Sequence, residues 1–279
     1  MKRITNYIGF LVVITILFSC NNSSTSETPT EEFKTELPAE KVETETEPTQ
    51  TNTVVENSNE IGQVTIGNQI WSTKNLDVSN FRNGDIIPEA KTDEEWAKFG
   101  QEHQPAWCYY DNDPENGNIY GKLYNWYAVN DARGLAPQGW HIPTSLEHKT
   151  FIKNLKDLRT KIVKQNPYKY INNQIRLESL IINITEWNNN NEAVNSFNGS
   201  NQTGFSALPG GYRNVSINEY GLRKCKFQLI GNEGFFWCFN ESSEDYLTAF
   251  GYKITCFTLE SSNASHIKDI GKSVRCVKD

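Results

Sequence analysis

Apolar residues are distributed along this chain in three regimes. Residues 8–18 (IGFLVVITILF) form an uncharged apolar run behind the cations Lys2 and Arg3. About eleven residues fall short of the roughly 20 that a membrane-crossing helix needs, but they suit the apolar core of a secretory signal peptide. From Asn21 to Glu60 Thr, Glu, Ser, Asn and Pro dominate, with Phe33 as the one aromatic. Such a stretch cannot bury enough apolar surface to offset its ordering entropy, so it is expected to be disordered. The third regime starts at Gln63, where QVTIGNQIW alternates Val64, Ile66 and Ile70 around Gly67-Asn68. Period-two alternation about a Gly-Asn pair predicts a β-hairpin with a type II′ turn. Asn83-Gly84 marks a second turn, and residues 106–110 (AWCYY) predict a short buried strand. Residues 120–130 (YGKLYNWYAVN) are apolar nearly all round and predict a short buried helix.

The segment GLAPQGWHIPT at 134–144 reads as a corner. Pro137-Gln138-Gly139 suits a turn, and Pro143 biases Ile142 towards extended backbone. Trp140 and Ile142 are expected in the core. Thr144 and Glu147 have the T-x-x-E spacing of a capping box. Behind them Leu146, Ile152, Leu155, Leu158 and Ile162 recur at helical intervals, opposite Lys149, Lys153, Lys156, Arg159, Lys161 and Lys164. This predicts an amphipathic helix ending by Pro167. Its basic face could meet a phosphate or an acidic glycan, or simply be the solvated side. Residues 172–201 are Asn-rich, with a candidate strand at 180–184. Further strands are expected at 205–212, 235–240, 246–259 and 273–278, where aromatic and β-branched residues concentrate. Strands, two main helices, then strands again argue an α+β domain with antiparallel sheets, not alternating βαβ units.

Composition adds an organisation to this pattern. Leu17-Phe18-Ser19-Cys20 closes the apolar run and resembles a bacterial lipobox, in which Cys20 becomes lipidated; the alternative is an ordinary secretory leader with a chance Cys. The expected division is a signal peptide at 1–19, a lipidated Cys and disordered acidic tether at 20–60, and one folded domain at 61–279. Ten Glu against Lys34 and Lys41 give residues 21–60 a net charge of −8, and the leader carries +2, so of the chain's −7 about −1 is left to the folded part. About forty flexible residues span roughly 35 Å. A nearly neutral domain offers no global field for nucleic acid. Cys108, Cys225, Cys238, Cys256 and Cys276 remain for the domain, an odd set without a C-x-x-C pair.

The search for chemistry returns little. The chain has no G-x-S-x-G, P-loop, G-x-G-x-x-G or H-E-x-x-H. Asp111, Asp113 and Glu115 alternate as Ca²⁺ ligands can, yet Gly117 and Lys122 break the EF-hand template, and a polar turn competes. No other cofactor is suggested. Aromatic faces beside amides and carboxylates stack on sugars. That makes Trp187, Asn189, Tyr212, Asn240 and Glu241 candidate ligand residues, with core packing as the competing role.

Four stretches, IGNQIWSTKNLDVSNFRNGDIIP, YGKLYNWYAVNDARGLAPQGWHIPT, GFSALPGGYRN and GKSVRCVKD, resemble the Fibrobacter succinogenes major paralogous domain family, in order from Gln63 to Asp279. The resemblance implies an exported, often lipid-anchored bacterial domain, remotely similar to the C-type lectin-like fold of lectins, adhesins and formylglycine-generating enzymes. Cys238 stands where the family more often has Ser, and Cys256 where an aromatic is usual; on adjacent strands the two could pair. Formylglycine-generating oxidase chemistry needs a close, reactive cysteine pair, and the nearest here, Cys225 and Cys238, are thirteen residues apart. The expectation is therefore a non-catalytic binding module on an outer-membrane lipoprotein, facing the periplasm or the cell surface. It is held at the membrane by its N-terminal lipid and binds a glycan or an envelope protein, with oxidase activity as the alternative.

Overall fold

The computed structural model describes residues 61–168, 175–182, 184–188, 199–241, 246–256, 258–259 and 264–279. The leader, Cys20, the tether and Asn189 lie outside the described residues. The elements in order are β1 (Gln63–Ile66), β2 (Gln69–Ser72), α1 (Asp93–Gln101), β3 (Trp107–Cys108), α2 (Pro114–Tyr120), β4 (Leu123–Tyr124), α3 (Trp126–Val129) and β5 (Trp140–His141). They continue with α4 (Ser145–Gln165), β6 (Gly210–Ile217), β7 (Arg223–Ile230), β8 (Glu233–Glu241), β9 (Thr248–Thr255), β10 (Ala264–Ile267) and β11 (Val277–Lys278). The architecture is α+β.

Three sheets organise these strands: β1-β2-β11-β5, β10-β9-β8-β6-β7, and the pair β3-β4. Neighbours run antiparallel, except that β6 meets β8 in parallel at Gly211–Gly234. Gly67 turns the first hairpin at φ 65°. A Cβ there would lie 2.2 Å from the Asn154 amide, whose Nδ2 donates to the Ile66 carbonyl at 3.0 Å. The hairpin is thereby fastened to α4, and β11 pairs with β2, joining the first hairpin to the last strand of the domain.

α4 forms as its sequence predicts. Thr144 accepts from the Glu147 N–H at 3.2 Å, and Glu147 accepts from the Thr144 N–H at 2.8 Å. Its buried stripe is His148, Phe151, Leu155 and Ile162, whereas Leu146 is 72% exposed, because two residues' separation puts it on the far side from His148. α1 carries the same device, with Thr92 and Glu95 as its capping box, but only Trp96 and Gly100 buried. The two main helices are therefore α1 and α4. Residues 120–130 do not form one helix. Gly121, at φ 69°, ends α2; Leu123 and Tyr124 then pair with β3, and Asn125 caps the single turn α3. That segment is apolar all round because it threads the interior.

The later strands are partly relocated. Residues 180–184 hold 3-10 turns at Glu178–Leu180 and Ile184–Glu186, with one bridge from Ile182 to Ala207, in place of a strand. β6 begins at Gly210 because residues 205–209 are pinned by side chains, such as Asn201 accepting from the Ser206 N–H at 2.8 Å. β7 and β10 are additional strands. Among the described residues no helix is long and apolar enough to cross a membrane.

Two apolar clusters fill the domain, one around Trp96, Trp107, Tyr124, Trp126 and Trp237, the other around Trp71, Phe151, Phe205, Phe236 and Tyr252. Two arginines are buried with them. Arg275 donates from Nε to Asn75 Oδ1 (2.7 Å), from Nη1 to the carbonyls of Ser72 and Phe205 (both 2.8 Å), and from Nη2 to the carbonyl of Ser206 (2.7 Å). Arg213 reaches the Thr92 carbonyl at 2.9 Å and Asp93 at 2.7 Å, its guanidinium between the Trp96 and Phe227 rings.

Each acceptor stranded in the interior costs about 1–3 kcal/mol. Arg275→Met is therefore expected to lower the unfolding free energy by about 3 kcal/mol or more in urea denaturation. Arg275→Lys should recover little, since one ammonium cannot reproduce the planar fork.

Candidate functional site

The site is built on the short turn α3. Asn125 Oδ1 accepts from the N–H of Ala128 and of Ala106 (both 3.0 Å), and its Nδ2 donates to the Gln104 carbonyl at 2.8 Å. One amide thus caps α3 and ties the chain after α1 to it, bringing His103 into a stack with Tyr127 at 5.1 Å. The Trp126 N–H donates to the Lys268 carbonyl at 3.0 Å. These bonds gather His103, Trp126, Tyr127, Asn130, Asp131 and Lys268 around an open cleft of about 440 Å³.

The cleft's polar chemistry is asymmetric. Asp131 is clamped by Arg133, Nε to Oδ1 at 2.9 Å and Nη2 to Oδ2 at 2.8 Å, and these hydrogen bonds hold its carboxyl below the usual range. Asp269, just behind, accepts from Arg223 Nε at 2.6 Å and from the Tyr127 hydroxyl at 3.1 Å. Burial, then the Asp269 charge, pushes the Tyr127 phenol upward. Both carboxylates are engaged. Trp126 is only 1% exposed, packed on Trp237 at 5.5 Å, and its buried Nε1 has no hydrogen-bond partner among the described residues. A second cleft, also about 440 Å³, touches Lys74, Asn75, Asp77, Asn118 and Cys276. Its Asp77 pairs with Lys122 and its Asn75 holds Arg275, so less of its polar capacity is free.

The residues singled out in the sequence are scattered. Trp187 is a core residue, 3% exposed, with Nε1 donating to the Ala207 carbonyl at 3.2 Å, so it is not displayed to a ligand. Tyr212 is half-buried on β6 against Phe235 at 4.4 Å, its hydroxyl donating to Gln228 Oε1 at 2.6 Å. Asn240 caps α4, accepting from the Ser145 N–H at 2.7 Å. Glu241 ends β8, and its side chain lies outside the described residues. Asp113 is the N-cap of α2, accepting from the Glu115 N–H at 3.0 Å, so a capped turn organises Asp111, Asp113 and Glu115. Among the described residues, no group of three or more His, Cys, Asp or Glu side chains is placed to hold a metal.

Cys238 and Cys256 are free and buried, as are Cys108, Cys225 and Cys276. The register explains the first two. Cys238 falls one place past the Trp237–Gly251 pair, and Cys256 one place past Glu233–Thr255. They sit about six residues apart along the ladder, roughly 20 Å, where a disulfide needs Cα atoms within about 7 Å. Burial pushes the thiols of Cys108, Cys238 and Cys276 up to about 12.

Fold and site together define an α+β domain of mainly antiparallel sheets, knit by buried charged side chains and carrying an aromatic-walled cleft. Residues 64–278 match the Fibrobacter succinogenes major domain, and the chain belongs to that family. No match to the chain is found among curated proteins or among solved structures.

The fold supplies His141 with two partners. Its Nδ1 faces Asp279 Oδ1 and its Nε2 faces Glu147 Oε1, both at 2.7 Å. Burial alone would lower its pKa, but the two carboxylates outweigh it and raise it above 6.5. Burial raises the Glu147 carboxyl, and bonds from Thr144 and His141 more than reverse this, leaving it below 4.5. The raised histidine contributes stability that is complete below 6.5 and lost as pH rises through its folded value. The depressed glutamate contributes stability present above 4.5 and lost as pH falls. The clasp is strongest between pH 4.5 and 6.5. Thermal midpoints measured across pH should fall on the alkaline side, and His141→Gln should flatten that fall. The partly exposed pair is worth no more than about 1 kcal/mol.

Proposed function

We propose that this chain is an outer-membrane lipoprotein whose folded domain, a C-type lectin-like module, binds a glycan without transforming it. Cys20 carries the lipid, and the acidic tether holds the domain off the membrane, on its periplasmic or outer face. The pairing of the first hairpin with the last strand, and the predominance of antiparallel sheet, support the lectin-like reading. The observation that carries the binding reading is the cleft beside Trp126: the half-buried Tyr127 ring stacked with the exposed His103, and the exposed Asn130 amide next to them. Sugars ask for this combination, an apolar face to stack and directional polar partners at its edge. Thiols held up by burial favour binding over a cysteine-based oxidase, since the thiolate is the reactive form.

An envelope-protein ligand is the second reading. The turn between β6 and β7 exposes Tyr220 (78%) and Leu222 (68%), an apolar tip suited to a protein surface. A glycan array probed with the purified chain separates the two. Tyr127→Ala should weaken the glycans bound by at least tenfold, about 1.4 kcal/mol. A blank array, with envelope proteins co-purifying until Tyr220→Ser and Leu222→Ser are introduced, would move the function to the hairpin tip. Cys20→Ala should shift the chain from the membrane to the soluble fraction and abolish incorporation of labelled fatty acid. Retention of both would refute the anchor.

A further inference from the structure

We infer that α4 is an acid-released latch, held on the sheet while His148 is neutral and freed when that ring takes up a proton. His148 is fully buried, its ring stacked on Tyr252 at 3.9 Å and lying 5.9 Å from Phe151. Tyr252 stacks in turn on Phe236 at 4.8 Å, and Phe151 packs against Trp71 and Phe205 at 4.7 and 5.0 Å. The histidine thus sits where the first turns of α4 meet the second apolar cluster. Among the described residues neither of its ring nitrogens has a hydrogen-bond partner, nor has the Tyr252 hydroxyl.

A neutral imidazole leaves one donor and one acceptor unpaired there, whereas an imidazolium would leave two donors and a charge. A charge buried without a partner costs far more than a polar group. The face of Tyr252 attracts a cation, but a face-on stack supplies no acceptor for a proton at the ring edge. The neighbours offer none either. On α4, Glu147 is engaged by Thr144 and His141, and Lys149 is exposed. On the sheet side the titratable groups are Tyr252 and, around it, Cys238, Cys276 and Arg275. Burial keeps the phenol and both thiols protonated, and the arginine adds positive charge. Burial accordingly holds the His148 pKa down to about 3.

The sign follows from linkage. Unfolded, the ring takes its proton near 6.5, so the folded state binds fewer protons below that pH. This stabilisation is complete above 6.5 and lost progressively as pH falls towards 3. Between 6.5 and 4.5 the His141–Glu147 clasp opposes release; below 4.5 it weakens as well, so the latch opens on the acid side of 4.5. What opens is apolar, because Phe151 and Leu155 leave with the helix. The latch is independent of the glycan reading: Trp126 and its cleft belong to the other cluster.

The test uses the purified full chain between about pH 7.5 and 3.5. The NMR signals of the His148 ring should report neutral imidazole down to the pH at which α4 opens. Hydrogen exchange, corrected for its intrinsic pH dependence, should show amides of 151–162 losing at least tenfold more protection than those of β6 and β7. His148→Phe, which keeps a ring in the stack, should abolish that early loss. The unfolding constant of the native sequence relative to this variant should rise about tenfold per pH unit between about 6 and 4, the slope of one proton. His148→Leu supplies the same comparison if the larger ring does not fit. Titration of the folded ring near 6.5, a pH-independent ratio, or α4 opening together with β6 and β7 would each overturn the latch. The ring titration and the exchange pattern need no variant, so a misfolded mutant leaves the outcome decidable.

Discussion

The guanidinium of Arg275 is the point through which this domain is closed. It lies in the segment leading into the last strand and binds the end of β2, the loop at Asn75 and the irregular chain at Phe205–Ser206 in one plane. Its hydrogen bonds to the described residues go to one amide oxygen and three backbone carbonyls, and burial lowers its pKa to about 10. Burying a cation is costly unless its donors are matched. Here the match is to carbonyls that loops would otherwise leave unsatisfied, so two liabilities cancel. Arg213 does the same for the chain before α1, adding the carboxylate of Asp93. A fold with so much irregular backbone in its interior needs such nodes, because ladders alone cannot satisfy it.

The cleft hangs from the same segment. Tyr124 and Lys272 exchange backbone hydrogen bonds at 2.8 and 3.0 Å, and the Lys268 carbonyl receives Trp126. Asp269, between them, accepts the Trp96 indole at its carbonyl and Tyr127 and Arg223 at its side chain. Gly271 permits this density: a Cβ there would stand 2.9 Å from the Trp96 ring and 3.1 Å from Arg213. Residues 268–276 therefore run as a spine through the interior, with the cleft at one end and the Arg275 node at the other. Nothing in the cleft's floor depends on a free loop, and a site of this kind is preorganised.

Legibility in the sequence followed locality. The first hairpin and the N-terminus of α4 were readable because the turn glycine and the Thr144–Glu147 box act within a few residues. α1 has an equally local box at Thr92–Glu95 but goes unread, since its mostly polar surface hides a helix that rests on one tryptophan. Residues 120–130 mislead because burial on all sides, not helical period, makes them apolar. Trp187 misleads the other way, since an Asn-rich neighbourhood suggests display while the ring packs inward. Neither the cleft nor the clasp has a sequence signal. His103, Trp126 and Lys268 meet only through tertiary pairing, and His141 finds Asp279 across 138 positions. The family motifs were legible, but what they mark is chiefly the interior: Arg213, Lys272 and Arg275 are fully buried.

Charge distribution decides how such a domain can select a ligand. Residues 61–279 carry about −1 of the chain's −7, so they offer no long-range field to steer a charged ligand. At physiological salt, exposed charges are screened beyond about 8 Å. A ligand of the proposed cleft would therefore be selected by short-range contacts there. Such a site should associate slowly for its affinity and discriminate by dissociation, as expected when docking geometry rather than steering controls encounter.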